Sequence, residues 1–348
     1  MRLASDNTGP ATPEVMQALM LANEGHLSAK GSDEVTAQAV QAVRGVFEAP
    51  EASVHLVATG TAANAIALAA MTQPWQTVFC SPLAHIYVDE CHAPEFYTGG
   101  ARLTLTGEDD KVSAQALEYE LAKLPKGDVH ASQAGPVALT QVTERGQRYT
   151  LQELRDICDV AHAHGLSVHL DGARFANAAA ALNCSAAQMS HETGIDAVSF
   201  GASKNGCLGV EAVVFFDPAK AWELELRRKR AGHLLSKHRY LASQMLAYCT
   251  DDHWLETARK SNAKASRLIE GLRAVPDCHF TAEPQANMIF ATLPRATHQR
   301  LHAGGAQYGL FEGPLDKGDP VEPLLMRLVC DWSISDDDID HFVTLAAG

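Results

Sequence analysis

The chain has 348 residues, 46% apolar and 20% charged, and its 28 Lys+Arg against 42 Asp+Glu leave a formal net charge of −14. That length divides into about two globular domains, large enough to bury a core without disulfides or a structural metal. The acidic balance argues against a nucleic-acid-coating protein but leaves room for a small anionic ligand held by a local positive field.

Taken in chain order, Thr12-Pro13-Glu14 predicts a helix start, with an N-cap and a proline at the first helical position, and Asn23-Glu24-Gly25 its end. Residues 33–47 place Val35, Ala39, Val43 and Val46 on one helical face. Short apolar runs of strand length follow at 54–58, 77–80, 103–106, 137–140, 166–170, 197–200 and 212–216, interleaved with helical stretches. One of those stretches opens on the capping box Thr150-Leu151-Gln152-Glu153 and stops at His164-Gly165. Near-continuous apolar strands between helices predict an α/β fold with a mostly parallel seven-stranded sheet covered on both faces. Residues 219–275 read as almost unbroken helix, followed by strand candidates at 287–293 and 325–329, a surface loop at 311–323, and a last helix at 335–347 with acids in its first turn. The expected organisation is a large α/β unit over 1–250 and a small C-terminal α+β unit over 251–348.

Eight cysteines make no C-x-x-C pair, and several lie in apolar runs. Residues 1–7 carry no signal-like apolar core, and no run of about 18 apolar residues occurs. The expectation is a cytoplasmic chain that spans no membrane.

In open α/β sheets, ligands gather beyond the carboxyl ends of the strands. After the first run, Thr59-Gly60-Thr61 opens an alanine-rich helix whose unpaired N–H groups could cradle a phosphate; a plain strand–turn–helix corner would read the same way. After the fifth comes Asp171, which either pairs structurally with Arg174 or faces a protonated ring nitrogen while Arg174 points at a substrate carboxylate. After the sixth, Lys204 sits among small residues, either exposed to solvent or with its pKa lowered for Schiff-base chemistry. A phosphate cup, an acid and a lysine on one sheet are the parts that pyridoxal phosphate requires.

In these stretches the sequence resembles the pyridoxal-phosphate-dependent, fold-type-I threonine aldolases of the β-eliminating lyase group, on the low-specificity L-threonine aldolase and phenylserine aldolase branch. The resemblance is carried by Ser5-Asp6-Asn7, Thr59-Gly60-Thr61-Ala62-Ala63-Asn64, Ala84-His85-Ile86, Asp89-Glu90-Cys91, Ala93-Pro94-Glu95-Phe96, Asp171-Gly172-Ala173-Arg174-Phe175-Ala176-Asn177, Ser199-Phe200-Gly201-Ala202-Ser203-Lys204-Asn205-Gly206 and Arg228-Lys229-Arg230-Ala231-Gly232-His233. It implies cleavage of threonine-like β-hydroxy-α-amino acids to glycine and an aldehyde. Lys204 would join the cofactor aldehyde, Asp171 would face the pyridine nitrogen, and Gly60 and Thr61 would take the phosphate. His85 would stack on the ring and serve as the base for the β-hydroxyl, directly or through water. Ser5, Arg174 and Arg327 would bind the substrate carboxylate, with Arg174 also bordering the cofactor. Lys229 would reach a neighbouring subunit's phosphate in a homo-oligomer, a dimer of dimers.

Three departures stand out: asparagine at position 7 in place of the usual threonine, no tyrosine in 27–33, and no match near Gln141-Val142-Thr143 for the second histidine of some members. Two other readings stay open: another pyridoxal-phosphate reaction on the same scaffold (β-elimination, racemisation or hydroxymethyl transfer), or a phosphometabolite-binding protein without covalent chemistry. No spaced set of three or four metal ligands appears, Cys91-His92 and Asp89-Glu90 included.

Overall fold

The computed structural model describes residues 1–125 and 127–348. Seven strands form the large sheet: β1 (Ser53–Val57), β2 (Gln76–Cys80), β3 (Arg102–Leu105), β4 (Gln133–Thr140), β5 (Val168–Gly172), β6 (Ala197–Gly201) and β7 (Glu211–Phe215). Their spatial order is β1-β7-β6-β5-β4-β2-β3. Pairs β6–β5, β5–β4, β4–β2 and β2–β3 are parallel, whereas β7 runs antiparallel to both β1 and β6. The reversal at β7 has a simple cause. Only residues 202–210 join it to β6, too few for the crossover that a parallel return needs. That short connection carries Lys204.

Burial explains the apolar runs. Every residue of β1, β5, β6 and β7 is buried, sandwiched between helices that include Gly60–Met71, Leu151–Ala163 and Phe175–Leu182. Both capping motifs form: Thr12 accepts from the Val15 N–H, and Thr150 and Glu153 cap each other reciprocally. The stretch 219–275 is not one helix but three, Ala221–Arg230, Arg239–Cys249 and His253–Arg273. The first stops before Gly232, which has φ +79°, and the third is set off by Asp251 and Asp252, both in the left-handed region.

The remaining strands make a four-stranded antiparallel sheet of order β10-β11-β9-β8, from β8 (His279–Phe280), β9 (Met288–Pro294), β10 (Gly309–Leu310) and β11 (Pro323–Val329). The two-residue strands β8 and β10 are too short to leave a periodic signal, and β10 falls at the edge of the expected loop. A second apolar cluster, including Leu268, Ile289, Leu293, Met326, Leu328 and Phe342, fills the space between this sheet and helices His253–Arg273 and Asp336–Ala347. Leu3 joins it, so the chain's first residues are pinned beside β11, where Val329 N–H donates to Leu3 O at 2.8 Å. Among the described residues no helix is long and apolar enough to cross a membrane.

Candidate active site

The carboxyl ends of β5 and β6 approach unusually closely, and two glycines permit it. A Cβ on Gly172 would meet Ser199 O at 2.7 Å, and one on Gly201 would meet Gly172 O at 2.7 Å. Asp171 lies inside β5, one residue before its end, and Lys204 in the turn Ser203–Asn205 just past β6. Asp171 is buried; its Oδ2 accepts from Asn64 Nδ2 and its Oδ1 from the Ala173 N–H, both at 2.9 Å. Those bonds leave a buried carboxylate supported by neutral donors, with no side-chain cation bonded to it.

The Lys204 amine borders a cavity of about 540 Å³ together with Ser5, His85, Glu144, Arg174 and Arg327. Burial, and then the Arg174 guanidinium, push its pKa below the usual lysine value, although Asp6, Asp171 and Glu211 pull the other way. A lysine so placed is the nucleophilic amine that Schiff-base chemistry needs.

His85 opens a short helix, His85–Val88, at the cavity wall. Its Nδ1 is 2.8 Å from Oε1 of the buried Glu90, and that same oxygen accepts from Asn64 Nδ2 at 2.9 Å. Asn64 therefore ties Asp171 to the Glu90–His85 pair. The hydrogen bond from Glu90 raises the imidazole pKa, and burial raises that of Glu90, so the pair holds a proton to higher pH than an isolated histidine. Asn64 stands one helical turn beyond Gly60, where the helix Gly60–Met71 begins under its Thr59 cap. Nothing lies within 4 Å of where a Gly60 Cβ would project, so the helix start is open to a ligand.

These residues fit pyridoxal phosphate: an amine at Lys204, a carboxylate at Asp171, a ring wall at His85, and an uncovered helix N-terminus within one turn of Asn64.

The family described as beta-eliminating lyase matches residues 2–294. The chain belongs to the beta-eliminating lyase family. It is 37% identical to a low-specificity L-threonine aldolase of Pseudomonas aeruginosa over 345 residues, 99% of this chain and 96% of that protein. A low-specificity L-threonine aldolase of Pseudomonas sp. (strain NCIMB 10558) is 36% identical over 90% of each chain. A solved threonine aldolase of Leishmania major superposes with a TM-score of 0.92 at 26% identity, covering 99% of this chain and 98% of that one.

Of the residues singled out in the sequence, Ser5, His85, Arg174, Lys204 and Arg327 border this cavity and Asp171, Gly60, Thr61 and Lys229 do not. Arg174 does not pair with Asp171, whose oxygens are already taken. Instead Arg174 Nε and Nη2 donate to Asp6 Oδ2 and Oδ1 at 2.7 and 2.9 Å. Burial alone would raise the Asp6 pKa, but Arg174, Lys204 and the Asn287 amide, which donates to Oδ2 at 3.1 Å, bring it below the usual value. Arg327, on β11, donates from Nη2 to Ala4 O at 3.2 Å, and its buried Nε has no partner. Arg174 is thus paired with Asp6, whereas Arg327 makes no salt bridge among the described residues and feels the Asp6 and Asp89 charges only at a distance; Ser5, beside them on the cavity wall, caps the Asn7 N–H through its Oγ. Lys229 is exposed on helix Ala221–Arg230 and does not border the cavity of its own chain. Among the described residues no cluster of three His, Cys, Asp or Glu side chains is arranged to hold a metal.

The sequence reading missed Glu90, Glu144, Glu211 and Asn287. Glu211, on β7, is buried and accepts from the Ala202 N–H at 2.7 Å, and burial pushes its pKa up to about 7. A buried acid inside an otherwise apolar strand, Glu211-Ala212-Val213-Val214-Phe215, was the available signal.

Proposed function

We propose that the protein is a pyridoxal-phosphate-dependent aldehyde-lyase that cleaves L-threonine, L-allo-threonine and other β-hydroxy-α-amino acids, phenylserine among them, to glycine and an aldehyde. The observation that carries this is the convergence of Lys204, His85, Arg174 and Arg327 on one cavity in a chain 37% identical to a low-specificity L-threonine aldolase. When bound, pyridoxal phosphate supplies an electron sink conjugated to the substrate Cα.

The chain's own residues do the rest. The Lys204 amine, bordering the cavity with its pKa lowered by burial, would hold the cofactor aldehyde. Asp171, oriented by the Asn64 and Ala173 donors, would face the ring nitrogen of the cofactor. The N–H groups at Gly60 and Thr61 would take the phosphate, and His85, held by Glu90, would border the ring. Arg327 and Arg174 grip the substrate carboxylate with Ser5 at their side; a guanidinium fork fixes direction as well as charge and so selects which bond at Cα is weakened. Leu83, Val88, Met288, Phe290, Phe311 and Leu325 also line the cavity, an apolar wall suited to a methyl or phenyl group on Cβ.

The active unit is a homo-oligomer, a dimer of dimers, in the cytoplasm. Exposed apolar side chains such as Phe96, Leu208, Trp222 and Leu226 support association, and the exposed Lys229 is free to reach a neighbour's phosphate. The large unit covers 1–250 and the small one 251–348; the two sheets fall on either side of that division, although Trp254, Ala258, Ala286, Met288 and Val329 pack into the large apolar cluster and Leu3 into the small one.

Incubating the holoprotein with L-threonine, L-allo-threonine and phenylserine tests the reading. Glycine with acetaldehyde or benzaldehyde is expected; a 2-oxo acid with ammonia would sink it. In Lys204→Ala the visible absorption of the protein-bound Schiff base disappears, whereas a non-covalent phosphometabolite binder would lose nothing.

A further inference from the structure

The aldol cleavage needs a group that takes the β-hydroxyl proton. A competent acceptor must border the cavity, present an uncommitted lone pair, and titrate near neutrality. His85 borders the cavity, but its Nδ1 is held by Glu90, a contact that raises its pKa and enlarges the share of imidazolium, which has no lone pair to offer; only the neutral ring leaves Nε2 free to accept. Lys204 is consumed in holding the cofactor. Both oxygens of Asp6 are on Arg174, and both of Asp171 are hydrogen-bonded. Asp89 and Glu312 border the cavity but are solvent-exposed.

Glu144 remains. It follows β4 by four residues and borders the cavity. Its Oε1 accepts from the His85 backbone N–H at 2.7 Å and from Thr140 Oγ1 at 2.9 Å, which fixes the carboxylate plane. Its Oε2 is buried and has no hydrogen-bond partner. An anchored carboxylate with one buried, unpartnered oxygen is costly unless something meets it there.

We propose that Glu144 is the catalytic base of the cleavage, accepting the substrate's β-hydroxyl proton on Oε2. This rests on the aldolase reading. In the step, the O–H bond breaks and its proton moves to Oε2. The oxygen–hydrogen pair becomes the second bond of the aldehyde C=O, the Cα–Cβ bond breaks, and that pair stays with Cα. Cα then takes one proton from exchangeable groups and Glu144 returns one to solvent, so substrate divides into glycine and aldehyde with no net proton change.

Titration supports the geometry. Burial, and then the Asp171 charge, push the Glu144 carboxyl up to about 7, against the lowering hydrogen bonds from backbone N–H groups and Thr140. The ionisable groups around it are Asp171 from β5, Cys80 from β2, Tyr149 from the following loop and the His85 imidazole, with Arg145, Arg174, Lys204 and Arg327 across the cavity. The carboxyl therefore changes charge where a general base is effective.

The test is Glu144→Gln in the holoenzyme, because glutamine still accepts from His85 and Thr140 through its carbonyl. Four readouts are taken: spectral titration with glycine, which has no β-hydroxyl; kcat and KM for threonine; the pH profile of kcat; and infrared spectra of the protonated-carboxyl band in the cofactor-free protein across neutral pH. The proposal expects normal glycine binding, a kcat lower by about 10²-fold or more with KM little changed, loss of the limb near neutrality, and a smaller infrared carboxyl signal than in the parent. A kcat within about threefold of the parent with the same limb overturns it, as does a limb that vanishes in His85→Asn but persists in Glu144→Gln. A purely structural role for Glu144 predicts weakened glycine binding and an unmoved pH profile. Failure of the parent protein to form glycine from threonine removes the aldolase reading itself, and is told apart because it appears before any substitution is made.

Discussion

Around the carboxyl ends of β4, β5 and β6, buried polar atoms go without partners: Asn64 Oδ1, Glu90 Oε2, Glu144 Oε2 and Asn205 Oδ1. In the small sheet, the buried His298 is bonded through both ring nitrogens, to Tyr308 Oη at 2.8 Å and to Leu324 O at 3.0 Å. Leu268, Leu293, Met326 and Phe342 belong to the apolar cluster packed on that sheet. Each unmet buried group costs about 1–3 kcal/mol, so the large sheet gives up stability at the place where ligands would satisfy those groups. The small sheet supplies cohesion instead, with fewer unmet groups beside it (Asn287 Oδ1, His302 Nε2 and Arg327 Nε), and it contributes Arg327 to the lining of the shared cavity. Reactivity and cohesion are thus separated in space but joined at β11.

The most severe test of this contrast falls on the cohesive side. Phe342→Ala should cost about 3–5 kcal/mol in urea unfolding of the cofactor-free protein; a loss below 1 kcal/mol would mean that the small cluster is not what holds that sheet. On the reactive side, Asp171→Asn should lower kcat by about 10²–10³-fold with little change in melting temperature. A large stability loss with intact turnover would invert the comparison. At the junction, Arg327→Leu removes a charge-assisted grip of about 1.5–3 kcal/mol, so KM should rise by roughly ten- to a hundredfold, while the cofactor-free protein melts no lower.

The smallest effect is a pH slope. The Glu211 carboxyl is raised by burial from 4.5 to about 7 in the folded protein. The folded state therefore holds this proton more tightly than the unfolded state. Its contribution to stability is fully present below about 4.5 and is lost as pH rises through about 7, at up to about 1.4 kcal/mol per pH unit. Glu211→Gln should flatten that part of the pH–stability curve measured by urea unfolding; an unchanged slope would show that Glu211 does not carry it.

Lys204, Asp171 and Gly60 were legible because each follows an apolar strand within a few residues, and the sheet topology alone brings such positions together. His85 and Arg327 were legible only through resemblance. The partners were not: Asp6 lies 168 residues from Arg174, and Glu144 lies 59 from His85. No local pattern distinguishes a glutamate that will be buried against a distant backbone N–H from one on a solvated face. Arg174 illustrates the point, since the acid three residues before it was the natural partner in sequence and Asp6 is the partner in space. The second break in 219–275 rests on Asp251 and Asp252 in the left-handed region, a backbone choice that aspartate tolerates but does not announce.

The sequence by itself determined the α/β alternation, the mostly parallel sheet and the three chemistry-bearing turns, because strand burial and helix capping are read out over a handful of neighbouring residues. Only the tertiary structure decided which acids are buried, which cations are already paired and which carboxylate oxygen is left without a partner. Those properties depend on desolvation and on charges brought close by packing, and in this chain the decisive contacts join residues far apart along it.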